Sequence, residues 1–262
     1  MLKQRIASAL VLVPLAIAAA WLGHPWLTLF VALAVGLAAW EFGQLGRHLG
    51  HQVFPNLSAA IAVAFAVERG FAGGRYLGAV LAIGTIIATI WHVIRAHTGT
   101  RTEAWAITVF AGVFVGFLGS HLVALRALPD GLAWLATTVI TVWVADTAAY
   151  LAGSRWGRRK LAPLISPGKT WEGSCAALFA SLPFGAALAW SAGIGPTNGL
   201  AIGLIVGLLT PFADLAKSML KRQAGVKDSS NLIPGHGGGL DRVDTLLFAG
   251  ALVYYYAVLI AL

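Results

Sequence analysis

A chain of 262 residues that is 58% hydrophobic and only 11% charged lies far outside the composition of soluble domains. Its formal net charge of +8 suits anionic lipid headgroups or phosphates; nucleic-acid binding would need a basic face on a folded soluble module, and no such module is visible. The single cysteine, Cys175, excludes an intramolecular disulfide framework and a multi-cysteine metal site.

Apolar runs between charged breaks predict nine membrane spans, near residues 5–22, 25–45, 54–67, 76–94, 104–125, 131–152, 171–190, 197–216 and 243–262. The expected fold class is therefore an all-α polytopic membrane protein. Residues 1–262 are expected to form a single integral membrane domain, with hydrophobic helices in 1–130 and the helices and loops that carry chemistry in 131–262. The first run, flanked by Lys3 and Arg5, is followed by no convincing small-residue cleavage site and reads as a retained span rather than a signal peptide. No internal repeat of fixed period is visible.

With the N terminus in the cytoplasm, fifteen of the 18 Lys and Arg residues fall on the cytoplasmic side, leaving Arg69, Arg75 and Arg126 opposite. That bias supports an odd number of spans and a C terminus on the far side. It also makes residues 153–170 and 217–242 cytoplasmic, and those two connections hold much of the chain's Gly, Pro and charge. Irregular backbone can be hydrated there.

Glu41 and Glu68 sit at span ends, where an interfacial acid needs no function. Asp146 is different. It lies inside the apolar sixth run, with Tyr150 one turn along the same face, and an acid within a membrane helix is functional by default. The competing reading is a neutral, hydrogen-bonded structural residue. A basic run follows through Arg155, Arg158, Arg159 and Lys160, then Ser166, Pro167, Gly168, Lys169, Thr170, Trp171, Glu172 and Gly173 open the seventh span. Gly168, Lys169 and Thr170 match the end of a P-loop, but the required first glycine is Pro163 and no β-strand is expected before it. What remains is a helix N-terminus beside hydroxyls and a lysine, which is a plausible anion site.

The densest polar constellation comprises Asp214, Lys217, Ser218, Lys221 and Arg222, then Lys227 and Asp228, then residues 234–244. If the eighth span continues as helix into its loop, Asp214, Lys217 or Ser218, and Lys221 share one face. Asp241 and Asp244, three apart, also share a face and can converge on one cation. Hard carboxylate oxygens suit Mg²⁺, which binds through a few carboxylates with substrate phosphates completing its shell. Between the acids, the glycine-rich turn at residues 235–239 lets backbone N–H groups approach phosphate oxygens. A juxtamembrane basic patch with a flexible loop explains Lys221 and Arg222 alone, but not Asp241 and Asp244 at a membrane entry. His24, His48, His51, His92, His97 and His121 show no metal-ligand spacing, so zinc is not expected. His236, inside the glycine turn, suits a phosphate hydrogen-bond donor or a proton-transfer group.

Taken together, these segments resemble the phosphatidate cytidylyltransferases (CDP-diacylglycerol synthases). The run of Ser218, Lys221, Arg222, Lys227, Asp228, Pro234, His236, Gly237, Gly238, Asp241, Arg242 and Asp244 looks like that family's signature, and the segments around Asp146 and around Ser166 resemble two more, so the likeness spans residues 143–262. The first 130 residues match only in being hydrophobic. Three positions depart from the family's pattern: Lys217 stands where an acid is usual, Gly168 where lysine is frequent, and Ser229 where glycine is frequent.

The resemblance implies attack of a phosphatidic acid phosphate oxygen on the α-phosphorus of CTP, in phospholipid biosynthesis. It implies one or two Mg²⁺ ions on Asp214, Asp241 and Asp244, and phosphates on Lys221, Arg222, Lys227 and Arg242. Nucleotide positioning would fall to His236 with Gly237 and Gly238. Ser166, Lys169 and Thr170 would bind phosphate, Ser218 and Asp228 would line the substrate site, and Asp146 would support it from within the bundle. It further implies a bacterial inner membrane with the site facing the cytoplasm; pairing of protomers into a homodimer is left open. Two rival readings are a CDP-alcohol phosphotransferase and an ion-coupled secondary transporter using Asp146 and Asp214, with Pro211 breaking a helix.

Overall fold

A computed structural model describes residues 2–96, 99, 101–230, 232 and 237–262, with side chains from residue 8 onward. The side chains of Lys3 and Arg5, and all of His97, Pro234, Gly235 and His236, lie outside the described residues. The elements are α1 (Leu2–Leu22), α2 (Trp26–His48), α3 (Pro55–Ala72), α4 (Leu77–Ile94), α5 (Thr102–Arg126), α6 (Gly131–Trp156), β1 (Lys160–Ala162), β2 (Ser166–Thr170), α7 (Trp171–Ser191), α8 (Pro196–Gln223) and α9 (Leu240–Tyr256). A π-helical turn, Ala257–Ala261, extends α9.

Among the described residues, seven helices are long and apolar enough to cross a membrane: α2, α4, α5, α6, α7, α8 and α9 with its extension. The protein is a polytopic α-helical membrane protein. The third expected span, α3, is not one of the seven; Asn56, Ser58, Glu68 and Arg69 interrupt its 18 residues. One departure from an all-helical chain is the antiparallel hairpin β1–β2, which pairs Lys160 with Thr170 and Ala162 with Ser166 inside the expected loop 153–170.

By internal contacts the chain makes two compact units, Met1–Ala124 with Leu220–Val243, and Leu125–Met219 with Asp244–Leu262. In the first unit, α2 approaches α3 closely because Gly36 faces Val63 and Gly43 faces Pro55. Pro55 starts α3 at a position that needs no N–H, and Gly73, with φ +68°, ends it in the left-handed conformation. Phe65 packs edge-on against Phe117 with ring centres 5.9 Å apart. Ser58 Oγ donates to the Thr108 carbonyl at 2.9 Å and Phe54 N–H to Thr108 Oγ1 at 3.1 Å, tying the start of α3 to α5.

The second unit buries Trp134, Val142 and Ala145 of α6 with Ala177, Ile202, Val206, Ala249 and Val253 from the following helices. Here α8 presents Gly199, Gly203 and Gly207 to Ser181, Gly185 and Ala189 of α7, a small-residue stripe on each helix that lets their backbones meet. Ser181 Oγ donates to the Gly203 carbonyl at 2.7 Å. Lipid cannot drive such helices together by the hydrophobic effect, so close packing and this hydrogen bond carry the association.

Candidate active site

Residues of the second unit assemble a line of alternating charge. The line begins at the hairpin. Thr170 has extended backbone and its Oγ1 accepts the Gly173 N–H at 3.2 Å, capping α7. Trp171 N–H donates to the Arg159 carbonyl at 3.0 Å, and the Glu172 carboxylate accepts the Arg159 N–H at 3.2 and 3.3 Å, closing the hairpin onto the helix start. Gly173 permits the approach to α6, since a Cβ there would meet the Ala149 carbonyl oxygen at 2.8 Å.

This junction directs Lys169 toward α8, where its Nζ lies 2.5 Å from Asp214 Oδ2 and 3.5 Å from the Pro211 carbonyl. Because α8 continues unbroken to Gln223, Asp214 and Lys217 share a face, and Lys217 Nζ lies 3.1 Å from Asp214 Oδ1. The same ammonium lies 2.6 Å from Asp244 Oδ2, so Lys217 bridges two carboxylates. Lys217 and Asp244 are 12% exposed, whereas Asp214 is 38% exposed and is the member of the line most open to a ligand. Asp146 lies within electrostatic range of all four groups. Three carboxylates (Asp146, Asp214, Asp244) against two ammonium groups (Lys169, Lys217) leave one formal negative charge. Burial pushes the Lys169 ammonium below the ordinary lysine range, and the Asp214 carboxylate draws it partly back.

The first unit holds a second polar cluster around a carboxylate expected to be idle. Glu41 is fully buried, seven residues before the end of α2 rather than at the edge of its span. It accepts Ser230 Oγ at 2.6 Å, Ser229 Oγ at 2.8 Å, and the Gly239 and Leu240 N–H groups at 2.9 Å each. A buried carboxylate survives only with such donors, and here they include the first amides of α9, where a helix N-terminus favours negative charge. Lys221 Nζ lies 2.6 Å from Asp241 Oδ1. Asp241 Oδ2 accepts Ser229 N–H at 3.1 Å and Gly238 N–H at 3.4 Å, and Ser229 Oγ lies 2.9 Å from it. Ser229 thus stands between Glu41 and Asp241.

The turn geometry explains the glycines. Gly237 has φ +76°, and a Cβ at Gly238 would collide with Ser229 Oγ and the Glu41 carboxylate. Among the described residues of this turn, the Gly238 amide donates to Asp241 and the Gly239 amide, with that of Leu240 after it, donates to Glu41. The rule that singled out Asp146, an acid within an apolar run, would have found Glu41 as well.

The remaining expected site residues are distributed as follows. Arg222, Lys227, Asp228 and Arg242 are exposed in the first unit. Ser166 and Ser218 are half-buried in the second, and Thr170 is 3% exposed with its hydroxyl committed to the cap. Two of the three departures from the family pattern, Lys217 and Ser229, are bridges between carboxylates, whereas a Cβ at Gly168 would meet open space, so nothing there requires glycine. The P-loop likeness gains a strand but no loop: Gly168, Lys169 and Thr170 are part of β2 itself, which runs directly into α7. Among the described residues, no three His, Cys, Asp or Glu side chains cluster as a self-sufficient metal site.

The sequence model of the cytidylyltransferase family matches residues 3–260. The chain is similar to proteins named phosphatidate cytidylyltransferase from three bacteria. It is 37% identical to that of Pseudomonas aeruginosa, over 95% of this chain and 94% of the relative. It is 35% identical to that of Brucella suis biovar 1, over 99% and 94%. It is 32% identical to that of Haemophilus influenzae, over 98% of each. The likeness therefore extends well beyond residues 143–262 and takes in the N-terminal helices.

Proposed function

The chain belongs to the cytidylyltransferase family, and from that premise we propose that it transfers the cytidylyl group of CTP to phosphatidic acid, giving CDP-diacylglycerol and pyrophosphate. A phosphate oxygen of phosphatidic acid attacks the α-phosphorus of CTP. The new P–O bond makes the diphosphate of the product, the bond between the α-phosphorus and its bridging oxygen to the β-phosphorus breaks, and pyrophosphate leaves. The relatives' names support the choice of substrates.

The observation that carries the reading is the line Lys169, Asp214, Lys217, Asp244. Two anions must be brought together and negative charge must be held as pyrophosphate departs, which calls for fixed cations more than for a protein nucleophile. Lys169, positioned by the capped hairpin with Ser166 beside it in β2, holds a phosphate; Thr170 fixes the junction and Asp146 sets the charge balance. Arg222 at the end of α8, Lys227 in the connection that follows and Arg242 in the first turn of α9 hold phosphates. Ser218 and Asp228 line the substrate site, and His236 assists in placing the nucleotide. Lys221 orients Asp241 through its 2.6 Å contact, and Glu41 holds the turn containing Gly237 and Gly238.

A divalent cation, Mg²⁺, fits the donor set. Asp214 and Asp244 turn oxygens toward a shared positive charge, and Mg²⁺ is usually held by one or two carboxylates with substrate phosphates, so a self-sufficient cage is not needed. Asp214 and Asp244 would hold it, and when bound it would neutralise phosphate charge.

Nine spans are proposed, with α1 and α3 completing the seven, an N terminus in the cytoplasm, and the reaction at the cytoplasmic face of a bacterial inner membrane. Purified protein given CTP, phosphatidic acid and Mg²⁺ should form CDP-diacylglycerol and pyrophosphate. Product only from a CDP-linked lipid and an alcohol, or ion flux in proteoliposomes without nucleotide chemistry, would reject the proposal.

A further inference from the structure

The Lys217 ammonium touches two carboxylates, at 3.1 Å from Asp214 Oδ1 and 2.6 Å from Asp244 Oδ2. Both partners are residues to which the proposed function gives the metal, so this inference rests on that reading. The side chain is only 12% exposed, as is that of Asp244, so the contact is shielded from bulk solvent and little screened by salt. Lys217 also sits one helical turn after Asp214, on a regular stretch of α8, and its tether keeps the ammonium near both carboxylates at high effective concentration. A second ammonium, Lys169, neutralises the other oxygen of Asp214. Asp214 therefore faces a cation on each oxygen, and Asp244 faces one on Oδ2.

We propose that Lys217 is a tethered cation that competes with a divalent ion for Asp214 and Asp244, acting as a positioning residue that lowers the chain's affinity for the metal at this pair. The ammonium holds the two acids at a fixed spacing and supplies one of the positive charges that a metal would otherwise bring. A metal that takes both oxygens must displace the ammonium, and like-charge repulsion weakens its binding for as long as the ammonium stays nearby. Nothing in this exchange requires a proton to move.

The test is Mn²⁺ binding to the full-length protein in detergent micelles, followed by electron paramagnetic resonance of the free ion, with no nucleotide or lipid substrate present. Lys217→Gln and Lys217→Glu should each bind Mn²⁺ at least tenfold more tightly than the unsubstituted chain. Lys217→Arg, which keeps the charge, should stay within threefold of it. Asp244→Asn added to Lys217→Gln should remove the gain, which assigns the site. Thermal unfolding and gel filtration confirm that each variant is folded; if Lys217→Gln is not, Lys217→Met carries the same expectation. Equal affinity with and without the lysine charge, or no Mn²⁺ bound by either form, would overturn the proposal. The readout is independent of turnover, so failure to convert CTP would count against the proposed reaction and leave this comparison standing.

Discussion

Glu41 shows what a single carboxylate can organise. Replacing it by Ala leaves the Gly239 and Leu240 amides and the Ser230 hydroxyl without their acceptor, at about 1–3 kcal/mol for each buried group left unpaired. We expect Glu41→Ala to lose at least tenfold in turnover and to show faster amide exchange at residues 238–240. Glu41→Gln should be milder, because its carbonyl oxygen still accepts. Unchanged exchange in the Ala variant would remove Glu41 from this role. Asp241→Asn and Asp244→Asn test a different kind of residue. Each keeps its shape but loses charge beside a lysine at 2.6 Å, so turnover should be abolished while membrane insertion and folding persist; near-normal rates would remove Asp244 from the metal site and Asp241 from the catalytic machinery. Much of this chemistry was legible as spacing, since Asp214 and Lys217 are one helical turn apart. The bond between Glu41 and Ser229 was not, because those residues are 188 apart in sequence and only the fold brings them together.

Helices were the most legible elements. Among the described residues, each apolar run coincides with a helix to within a few residues at most ends, seven of them long and apolar enough to span, and the largest error, α8 continuing past residue 216 to Gln223, arose because Lys217, Lys221 and Arg222 look like a loop when only hydropathy is read. The hairpin was illegible for another reason: its strands are three and five residues long, contain Pro167 and Gly168, and depend on contacts with the start of α7. The α7 and α8 pair offers the cleanest test of packing. A side chain at Gly203 would run into the Ser181 carbonyl and Leu182, so Gly203→Val should destabilise by about 1–3 kcal/mol or more through overpacking, read as a lower thermal midpoint in detergent. An unchanged midpoint would show that the helices do not meet along this stripe.

At the level of the whole molecule, composition alone identified the solvent as lipid, and the charge bias set a proposed orientation that a labelling experiment can check. Because Cys175 is the only cysteine, Cys175→Ser provides a background in which Arg75→Cys and Arg158→Cys can be compared; both positions are exposed. A membrane-impermeant thiol reagent applied to intact spheroplasts should label position 75 and spare position 158, and the reverse pattern would invert the proposed topology. The likeness that was legible only over residues 143–262 covers nearly the whole chain in the relatives, because an apolar helix reveals little beyond its polarity until it is aligned with others.

The central claim, attack on the α-phosphorus of CTP, is tested most directly by following the position of a label. With purified protein, phosphatidic acid and Mg²⁺, phosphorus-32 in the α-position of CTP should pass into the lipid fraction as CDP-diacylglycerol, while the same label in the γ-position should appear only in pyrophosphate. Label from the γ-position in lipid, or none from the α-position, would contradict the account.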